Sequence, residues 1–273
     1  MSLLYVVGTP IGNLSDMSPR GIETLKKVDF IAAEDTRVST KLLRHFNISK
    51  PMVSYFEHNK RERGDMIVSK ILSGQSCALI TDAGMPAISD PGEELVKQCY
   101  ENGIKVEVIP GPSALISALA VSGLPTGRFT FEGFLTVNKK NRREHLNSIL
   151  TEERTMIFYE APHKLKNTLN DMYEVFGNRE ISLVREITKI HEQVIKTNLK
   201  NAVTLYETEP PRGEFVLIVK GFEPLPPPIT EYSFEEALNI AKKATEDGMT
   251  KALAAKQTAR QTGFLKEDIY KKL

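Results

Sequence analysis

The sequence predicts an α/β protein with a parallel sheet in its first half and a small helical segment at its end. Three observations predict this fold. Short β-branched runs alternate with stretches of helical spacing. Glycine and proline punctuate the turns between them. In addition, 41% of the 273 residues are hydrophobic, which is enough for a core in each of two domains.

The first half alternates strictly between strand and helix, which implies parallel strands joined by right-handed crossovers. Ser18, Thr36 and Asp90 are suitable helix N-caps. Glycine and proline at 123–127 interrupt the periodic pattern, so the first domain is predicted to span 1–124. Its strands are predicted at 3–7, 30–33, 52–56, 78–81 and 105–109, and its helices at 19–27, 36–46, 61–72, 92–102 and 113–122.

A second α/β domain is predicted over 125–223. A helix is predicted at 163–176, and the strands at 192–196 and 215–219 are expected to pair antiparallel around an intervening helix. Prolines at 224–228 predict a stiff linker, and 229–273 reads as a helical appendage. The remaining strands of this domain are predicted at 129–134, 155–159 and 181–185.

Composition limits the possible partners. The chain has 36 basic and 35 acidic residues, so a contact with nucleic acid must come from local patches. Cys77 and Cys99 lie in apolar stretches, which favours core positions over disulfides or a zinc site. The chain opens directly into a strand, and no apolar run approaches the roughly 20 residues that span a bilayer. We therefore expect a cytoplasmic protein without a membrane segment.

Three glycine-rich turns follow predicted strands. The turn at 8–14 lets backbone approach a ligand, although it lacks the G-x-G-x-x-G spacing of a dinucleotide fold and alone could be an ordinary turn. The loop at 81–92 carries Asp82, which suits a ligand, and Asp90, which suits a helix cap. The turn at 110–114 opens a helix with Ser113. Because the strands are parallel, all three turns are predicted to meet at one edge and form a binding site.

Charged residues follow the second strand in the segment AEDTR at 33–37. Glu34 and Arg37 could pair with each other. Alternatively, Glu34 and Asp35 could orient a polar acceptor or take its proton.

The sequence contains two basic clusters, at 58–63 and 139–143, and two interpretations of them remain possible. Charge runs are usually solvated faces. The second cluster contains no acidic residue, so phosphate contact by Lys139, Lys140, Arg142 and Arg143 is the alternative hypothesis.

Several of these motifs together resemble the tetrapyrrole-methylase superfamily, and more narrowly its branch that modifies ribosomal RNA. The resemblance covers roughly residues 1–222. It is carried by VGTPIGNL at 7–14, AEDTR at 33–37, DAGMP at 82–86, SDPG at 89–92, IPGPSA at 109–114, FYEAPH at 158–163, REITK at 185–189 and RGEF at 212–215.

The resemblance implies a class III methyltransferase with two α/β domains, S-adenosylmethionine in the cleft between them, a homodimer and no metal. It implies 2′-O-methylation of a cytidine in the decoding region of 16S ribosomal RNA, within the small ribosomal subunit. Carried over by position, the cofactor contacts would be Pro10, Ile11, Asp82, Met85, Ser113, Ala114, Tyr159, Glu160 and Ala161.

Attack by a ribose hydroxyl needs alignment and a proton acceptor. The candidates for that acceptor are Glu34, Asp35, Glu186 and Lys189. Arg37 and Arg185 suit phosphate better, because a guanidinium stays protonated.

Two alternatives remain open at the level of sequence. A tetrapyrrole methyltransferase of the same fold would not need the cluster at 139–143. It is disfavoured because DAG at 82–84 replaces the Gly-Asp-Pro of porphyrin-modifying members. A non-enzymatic RNA-binding module would have no affinity for S-adenosylmethionine, and it leaves the three ligand-type turns unexplained.

Overall fold

The computed structural model of the protein describes residues 3–224 and 232–273. The chain forms two compact units, Met1–Phe222 and Glu223–Leu273. Apart from Pro224, the linker predicted at 224–228 lies outside the described residues, as do residues 229–231 of the predicted appendage.

The first unit begins with a five-stranded sheet in which every neighbouring pair is parallel. The strand order is β3-β2-β4-β1-β5. The ten elements predicted for this half are all present, with bounds within two residues. The strands are β1 (Leu3–Val7), β2 (Phe30–Ala33), β3 (Met52–Ser54), β4 (Cys77–Ile80) and β5 (Lys105–Ile109), and the helices are α1 (Pro19–Lys27), α2 (Thr36–His45), α3 (Lys60–Leu72), α4 (Gly92–Glu101) and α5 (Ala114–Ser122).

Helices cover both faces of this sheet. Successive side chains of each strand point to opposite sides, so each strand contributes apolar residues to a core on either face. Leu79 of β4 packs in a core with Ile67 of α3 and Leu95 of α4. Its neighbour Ile80 packs in the opposite core with residues of α1 and α2. Cys77 and Cys99 are buried and free, as expected.

Two of the three predicted helix caps need correction. Ser18 caps α1 and accepts a hydrogen bond from the Gly21 amide, as predicted. The N-cap of α2 is Asp35 instead of Thr36, because the Asp35 carboxylate reaches the amide of Arg37. Pro91 occupies the N-cap of α4, although Asp90 still accepts a hydrogen bond from the Gly92 amide at 2.7 Å.

The second sheet is mixed and has the order β6-β7-β10-β8-β9. Strand β6 is parallel to β7, whereas β10 is antiparallel to both β7 and β8. The elements are β6 (Phe129–Phe134), α6 (Lys139–Ser148), β7 (Thr155–Glu160), α7 (Pro162–Phe176), β8 (Glu180–Arg185), β9 (Gln193–Asn198), α8 (Leu199–Thr208) and β10 (Phe215–Val219).

The predicted pairing of the last two strands is wrong. Strand β9 pairs with β8 at the outside of the sheet, and β10 lies between β7 and β8. The five apolar residues of β10 are all buried, which suits a central strand, whereas the residues of β9 are partly or fully exposed, which suits an edge.

Helix α5 joins the two sheets. It precedes the boundary predicted at residue 124, yet Leu115, Ala118 and Leu119 pack against Ile157 and Val216 of the second sheet. Its sequence, ALISALAVS, is apolar almost all round, so its pattern cannot show which sheet it covers. Both sheets consequently belong to one compact unit.

The second unit is helical, as predicted. It contains α9 (Phe234–Glu246), α10 (Lys251–Thr262) and α11 (Lys266–Lys272). Its small core holds Ala241, Ala255 and Ile269. Within the described part of the chain, no helix is both long and apolar enough to cross a membrane.

Candidate active site

The three glycine-rich turns of the first sheet meet at its carboxyl edge, as the sequence predicts. Thr9 and Gly84 exchange two backbone hydrogen bonds, at 2.9 and 3.1 Å. The Thr9 hydroxyl also donates to the Thr81 carbonyl at 3.2 Å. These bonds fix the turn after β1 to the loop after β4.

The turn after β5 approaches the turn after β1 through two glycines. The amide of Gly8 donates to the Ile109 carbonyl at 3.0 Å. A Cβ atom on Gly8 would lie 2.6 Å from the Gly111 Cα and 2.7 Å from the Met85 Sδ. Because real Cβ atoms essentially never make such short contacts, a side chain at position 8 would force the turns or the Met85 side chain to move.

The second sheet brings an aromatic wall to the same place. Tyr159, near the end of β7, contacts the rings of Phe131 and Phe134 with centroids 5.0 and 5.4 Å apart. Its hydroxyl accepts a hydrogen bond from the Leu115 amide in the first turn of α5. This bond ties the aromatic wall to α5, whose N-cap is Ser113.

A cavity of about 380 Å³ lies between the two sheets. Its lining combines apolar and aromatic side chains with several carboxylates and one lysine, a composition typical of small-molecule sites. The lining residues are Ile11, Glu34, Thr81, Ala83, Gly84, Met85, Ile88, Ser89, Asp90, Ser113, Ala114, Phe134, Tyr159, Glu160, Ala161, Val184, Ile187, Lys189, Glu214, Phe215 and Val216.

The structure brings together most of the predicted cofactor contacts. Pro10 and Asp82 do not line the cavity, whereas the other members of the set do. The Asp82 carboxylate accepts a hydrogen bond from the Asp35 amide at 3.1 Å, so it holds the loop after β2 in place. Burial raises the pKa of Asp82 despite that bond. The residues of the set that line the cavity are Ile11, Met85, Ser113, Ala114, Tyr159, Glu160 and Ala161.

The two carboxylates that follow β2 have different partners. Glu34 lines the cavity, and its carboxylate accepts a hydrogen bond from the Thr81 hydroxyl at 2.6 Å. Arg37 pairs with Asp35 at 2.6 Å, so the suggested Glu34–Arg37 pair is wrong. The hydrogen bond from the Arg37 side chain, with that from its amide, lowers the pKa of Asp35 to about 2.

Lys189 enters the cavity from the loop after β8. Its Nζ donates to Glu186 at 2.9 Å and to Glu214 at 2.7 Å. Burial alone would lower the pKa of Lys189, but the hydrogen bonds to Glu214 and Glu186 outweigh burial and raise it. The hydrogen bond from Lys189 in turn lowers the pKa of Glu186, which does not line the cavity.

Two further carboxylates of the lining are held by the fold. Glu160 is 2% exposed and pairs with Lys164 at 3.0 Å. Asp90 accepts hydrogen bonds from the amides of Ala87 and Gly92. Burial raises the pKa of Asp90. Both carboxylates therefore organise the backbone that surrounds the cavity.

A family model described as Tetrapyrrole (Corrin/Porphyrin) Methylases matches residues 3–203. The chain belongs to the tetrapyrrole methylase family.

Relatives of this tetrapyrrole methylase carry a common name. The chain is 45% identical to "Ribosomal RNA small subunit methyltransferase I" of Synechocystis sp., over 99% of this chain and 96% of the relative. It is 46% identical to the protein of that name in Halalkalibacterium halodurans, over 98% of this chain and 93% of the relative. The resemblance drawn from the motifs is confirmed at the level of the family.

Solved structures of the fold agree with the architecture. A uroporphyrin-III C-methyltransferase from Thermus thermophilus, complexed with S-adenyl homocysteine, superposes with a TM-score of 0.55 at 18% identity. The alignment covers 79% of this chain and 96% of that one. At this identity the similarity establishes the methylase fold and nothing further.

The basic cluster of this tetrapyrrole methylase lies on α6, and one of its members is not at the surface. Arg142 is 6% exposed, its Nε donates to Asp171 at 2.7 Å, and its Nη1 donates to the carbonyls of Thr136 and Val137. The structure therefore removes Arg142 from the predicted RNA contacts, because its guanidinium is buried and bound to Asp171 and two carbonyls within the fold.

The other predicted RNA contacts reach solvent to different degrees. Lys139 and Lys140 are exposed on α6, whereas Arg143 is half-buried and pairs with Glu174 at 2.6 Å. The Arg37 side chain is 88% exposed although it pairs with Asp35. Arg185 lies at the end of β8, where its Nε donates to the Arg212 carbonyl at 2.5 Å.

Several residues that line the cavity were not predicted from the sequence. Phe134, Val184 and Val216 reach the cavity because β6, β8 and β10 share one edge with β7. That strand order is not encoded in any local pattern. Glu214 had a local signal, because it lies in the RGEF motif that follows a turn.

Proposed function

We propose that this chain transfers a methyl group from S-adenosylmethionine to a ribose 2′-hydroxyl of a cytidine in the decoding region of 16S ribosomal RNA. The observation that carries the proposal is the cavity between the two sheets, which the three turns and the aromatic wall line and which the Glu34 carboxylate faces. Membership of the methylase family and the name of the relatives support RNA of the small subunit as the substrate. In this proposal the protein acts as a cytoplasmic homodimer on the small subunit.

The residues present fit the methyl donor. A volume of about 380 Å³ lies within the roughly 300–1,000 Å³ of small-molecule pockets. The Ser113 hydroxyl makes no capping bond to α5, so it remains available to a ligand beside the start of that helix. Aromatic faces and carboxylates suit a sulfonium cation, and Phe134, Tyr159 and Glu34 supply them.

S-adenosylmethionine, when bound, supplies an electrophilic methyl group. The chain's own residues must then align the acceptor hydroxyl and remove its proton. Met85, Ser113, Ala114 and Tyr159 would hold the donor between the sheets, and Ile11 would close the side formed by the turn after β1.

Glu34 is the proposed proton acceptor. It faces the cavity, and its only hydrogen bond from a described residue comes from a neutral hydroxyl, that of Thr81. Asp35 is a poor base because Arg37 holds its pKa at about 2. Glu186 is weakened in the same way by Lys189 and lies outside the cavity lining. A carboxylate that keeps its lone pairs free serves better as a base.

Lys189 is proposed as a positioning residue. Its raised pKa keeps it protonated near neutral pH, so it cannot accept the proton. Its bonds to Glu186 and Glu214 hold the loop after β8 against the cavity. Glu186 and Thr188 in that loop have φ values of +49° and +64°, a strained backbone of the kind that surrounding contacts must maintain.

The proposed phosphate contacts that remain are Arg37, Lys139, Lys140 and Arg143. Each is at least partly exposed, and phosphate neutralisation needs cations that can reach solvent.

The test combines binding and transfer. Calorimetry with S-adenosylmethionine measures binding, and mass spectrometry of nuclease-digested 16S RNA measures methylation of purified small subunits. The wild-type chain should bind the donor and add one methyl group to a ribose. Glu34→Gln should slow transfer by about 10²- to 10⁴-fold while leaving donor affinity within a few-fold. Asp35→Asn is the matched control, since Asn also caps a helix, and it should keep most of the rate.

Three different results would each contradict a different part of the proposal. A wild-type chain that ignores the donor contradicts the enzymatic assignment. Methylation of a base instead of a ribose contradicts the 2′-hydroxyl, and equal rates for Glu34→Gln and Asp35→Asn contradict the choice of Glu34.

A further inference from the structure

A second cavity lies at the carboxyl end of β8, and we name it the arginine pocket. Its volume is about 510 Å³, and its lining includes Arg185, Arg212, Tyr206, Gln193, Glu209 and Leu205. It opens on the opposite face of the second sheet from the candidate active site, because successive strand residues point to opposite sides. Val184 lines the active-site cavity, whereas Arg185 lines the arginine pocket.

The polar groups of the arginine pocket have spare bonding capacity. Neither Arg185 nor Arg212 forms an ion pair with a carboxylate of the described residues. The Arg185 Nε donates to the Arg212 carbonyl, and its Nη1 lies 3.5 Å from the Gln193 Oε1. Both interactions orient the guanidinium without neutralising its charge.

Tyr206 adds a hydroxyl to this pocket. The residue is 5% exposed, and its ring packs against Phe215 with centroids 5.7 Å apart. No described residue forms a hydrogen bond with its hydroxyl, although the residue lines the pocket. Burial raises the pKa of Tyr206, so the hydroxyl keeps its proton and can donate it to an acceptor.

We propose that the arginine pocket binds one nucleotide of the RNA strand that flanks the methylated nucleotide. Guanidinium groups bind phosphate bidentately, and Leu205 offers an apolar surface to a base. The Gln193 amide and the Tyr206 hydroxyl can satisfy the polar edge of that base. Glu209 also lines the pocket, and its carboxylate can accept a hydrogen bond from an exocyclic amino group.

A short stretch of backbone connects the arginine pocket with the active-site cavity. In the segment that enters β10, Arg212 lines the arginine pocket, whereas Glu214 and Val216 line the active-site cavity. One strand of RNA can therefore cross this sheet edge with a ribose on one side and a neighbouring phosphate on the other. This inference rests on the proposed function, because it requires an RNA substrate.

The experiment uses the full chain and a short fluorescein-labelled single-stranded RNA. Fluorescence anisotropy at several salt concentrations gives its Kd, and methylation of small subunits is measured in parallel. Arg212→Gln should raise the Kd at least about tenfold and lower the salt slope by about 1. Tyr206→Phe keeps the ring and should raise the Kd by about two- to tenfold.

Arg128→Gln is the matched control, because Arg128 is exposed and precedes β6 at the opposite edge of the same sheet. Its Kd should stay within about twofold of the wild type. If Arg212→Gln and Tyr206→Phe behave like Arg128→Gln while the wild type methylates RNA, the pocket is not a nucleotide site. A wild type that neither binds nor methylates RNA overturns the proposed function, and this inference with it.

Discussion

Replacing Gly8 by Ala tests the convergence of the three turns. The new Cβ would lie 2.6 Å from the Gly111 Cα and 2.7 Å from the Met85 Sδ, so backbone or the Met85 side chain must move. Overpacking of this kind costs about 1–3 kcal/mol. For a unit of the size of Met1–Phe222, each kcal/mol lowers the Tm by about 2–4 °C, which gives a decrease of about 2–12 °C.

Gly127→Ala is the matched control. A Cβ on Gly127 meets no atom within 4 Å, and its φ lies outside the left-handed region. This substitution should leave the Tm unchanged or raise it slightly, because alanine restricts the unfolded chain. Scanning calorimetry supplies both Tm values.

Gly8→Ala also tests the shape of the cavity between the two sheets. Met85 lines the cavity, so its displacement by the new methyl group should weaken binding of S-adenosylmethionine by about 5- to 150-fold, which corresponds to a loss of packing of about 1–3 kcal/mol. Isothermal calorimetry measures the affinity. If Gly8→Ala matches Gly127→Ala in both Tm and affinity, the close approach of the turns does not shape the site.

Two further predictions concern charged residues. Arg142→Ala removes the two close bonds to the buried Asp171 carboxylate, leaves it a 4.0 Å contact with Arg143, and should lower the free energy of unfolding by about 3–5 kcal/mol. Lys140→Ala on the same helix should change it by less than about 0.5 kcal/mol. Urea denaturation measures both, and equal values would contradict the buried role of Arg142. Asp35 has its pKa lowered from 3.8 to about 2 by Arg37, so its stabilising contribution is complete above the unfolded value and is lost as the pH falls towards 2. The Tm difference between wild type and Asp35→Asn should therefore shrink over that interval, and a difference that does not change with pH would refute the assignment.

The first sheet and its ligand edge were predictable because the relevant information is local. Alternating strands and helices imply parallel strands, and parallel strands place all their carboxyl ends at one edge. The turns that carry Gly8 and Gly111 were therefore predicted to lie at the same edge of the sheet. Their direct contact also requires β1 and β5 to be neighbours, and this strand pairing is not encoded in a local pattern.

The second sheet was less predictable because its order depends on contacts between distant residues. Nothing in the sequence of β10 states that it inserts between β7 and β8. Its continuous apolar run is the only hint, because such a run requires neighbours on both sides. The prediction that Arg142 contacts RNA was wrong for a related reason, because its partner Asp171 lies 29 residues away on another helix.

The roles of the candidate bases follow from partners that only the tertiary structure assigns. In sequence, Glu34, Asp35 and Glu186 are equivalent carboxylates beside basic residues. In the fold, Asp35 is bound by Arg37 and Glu186 by Lys189, and each cation lowers the pKa of its carboxylate. Among the described residues, Glu34 accepts a hydrogen bond only from the Thr81 hydroxyl, which orients the carboxylate without neutralising it. Of these three carboxylates, Glu34 is therefore the one that lines the cavity and has no ion pair with a described residue, which is why we propose it as the proton acceptor.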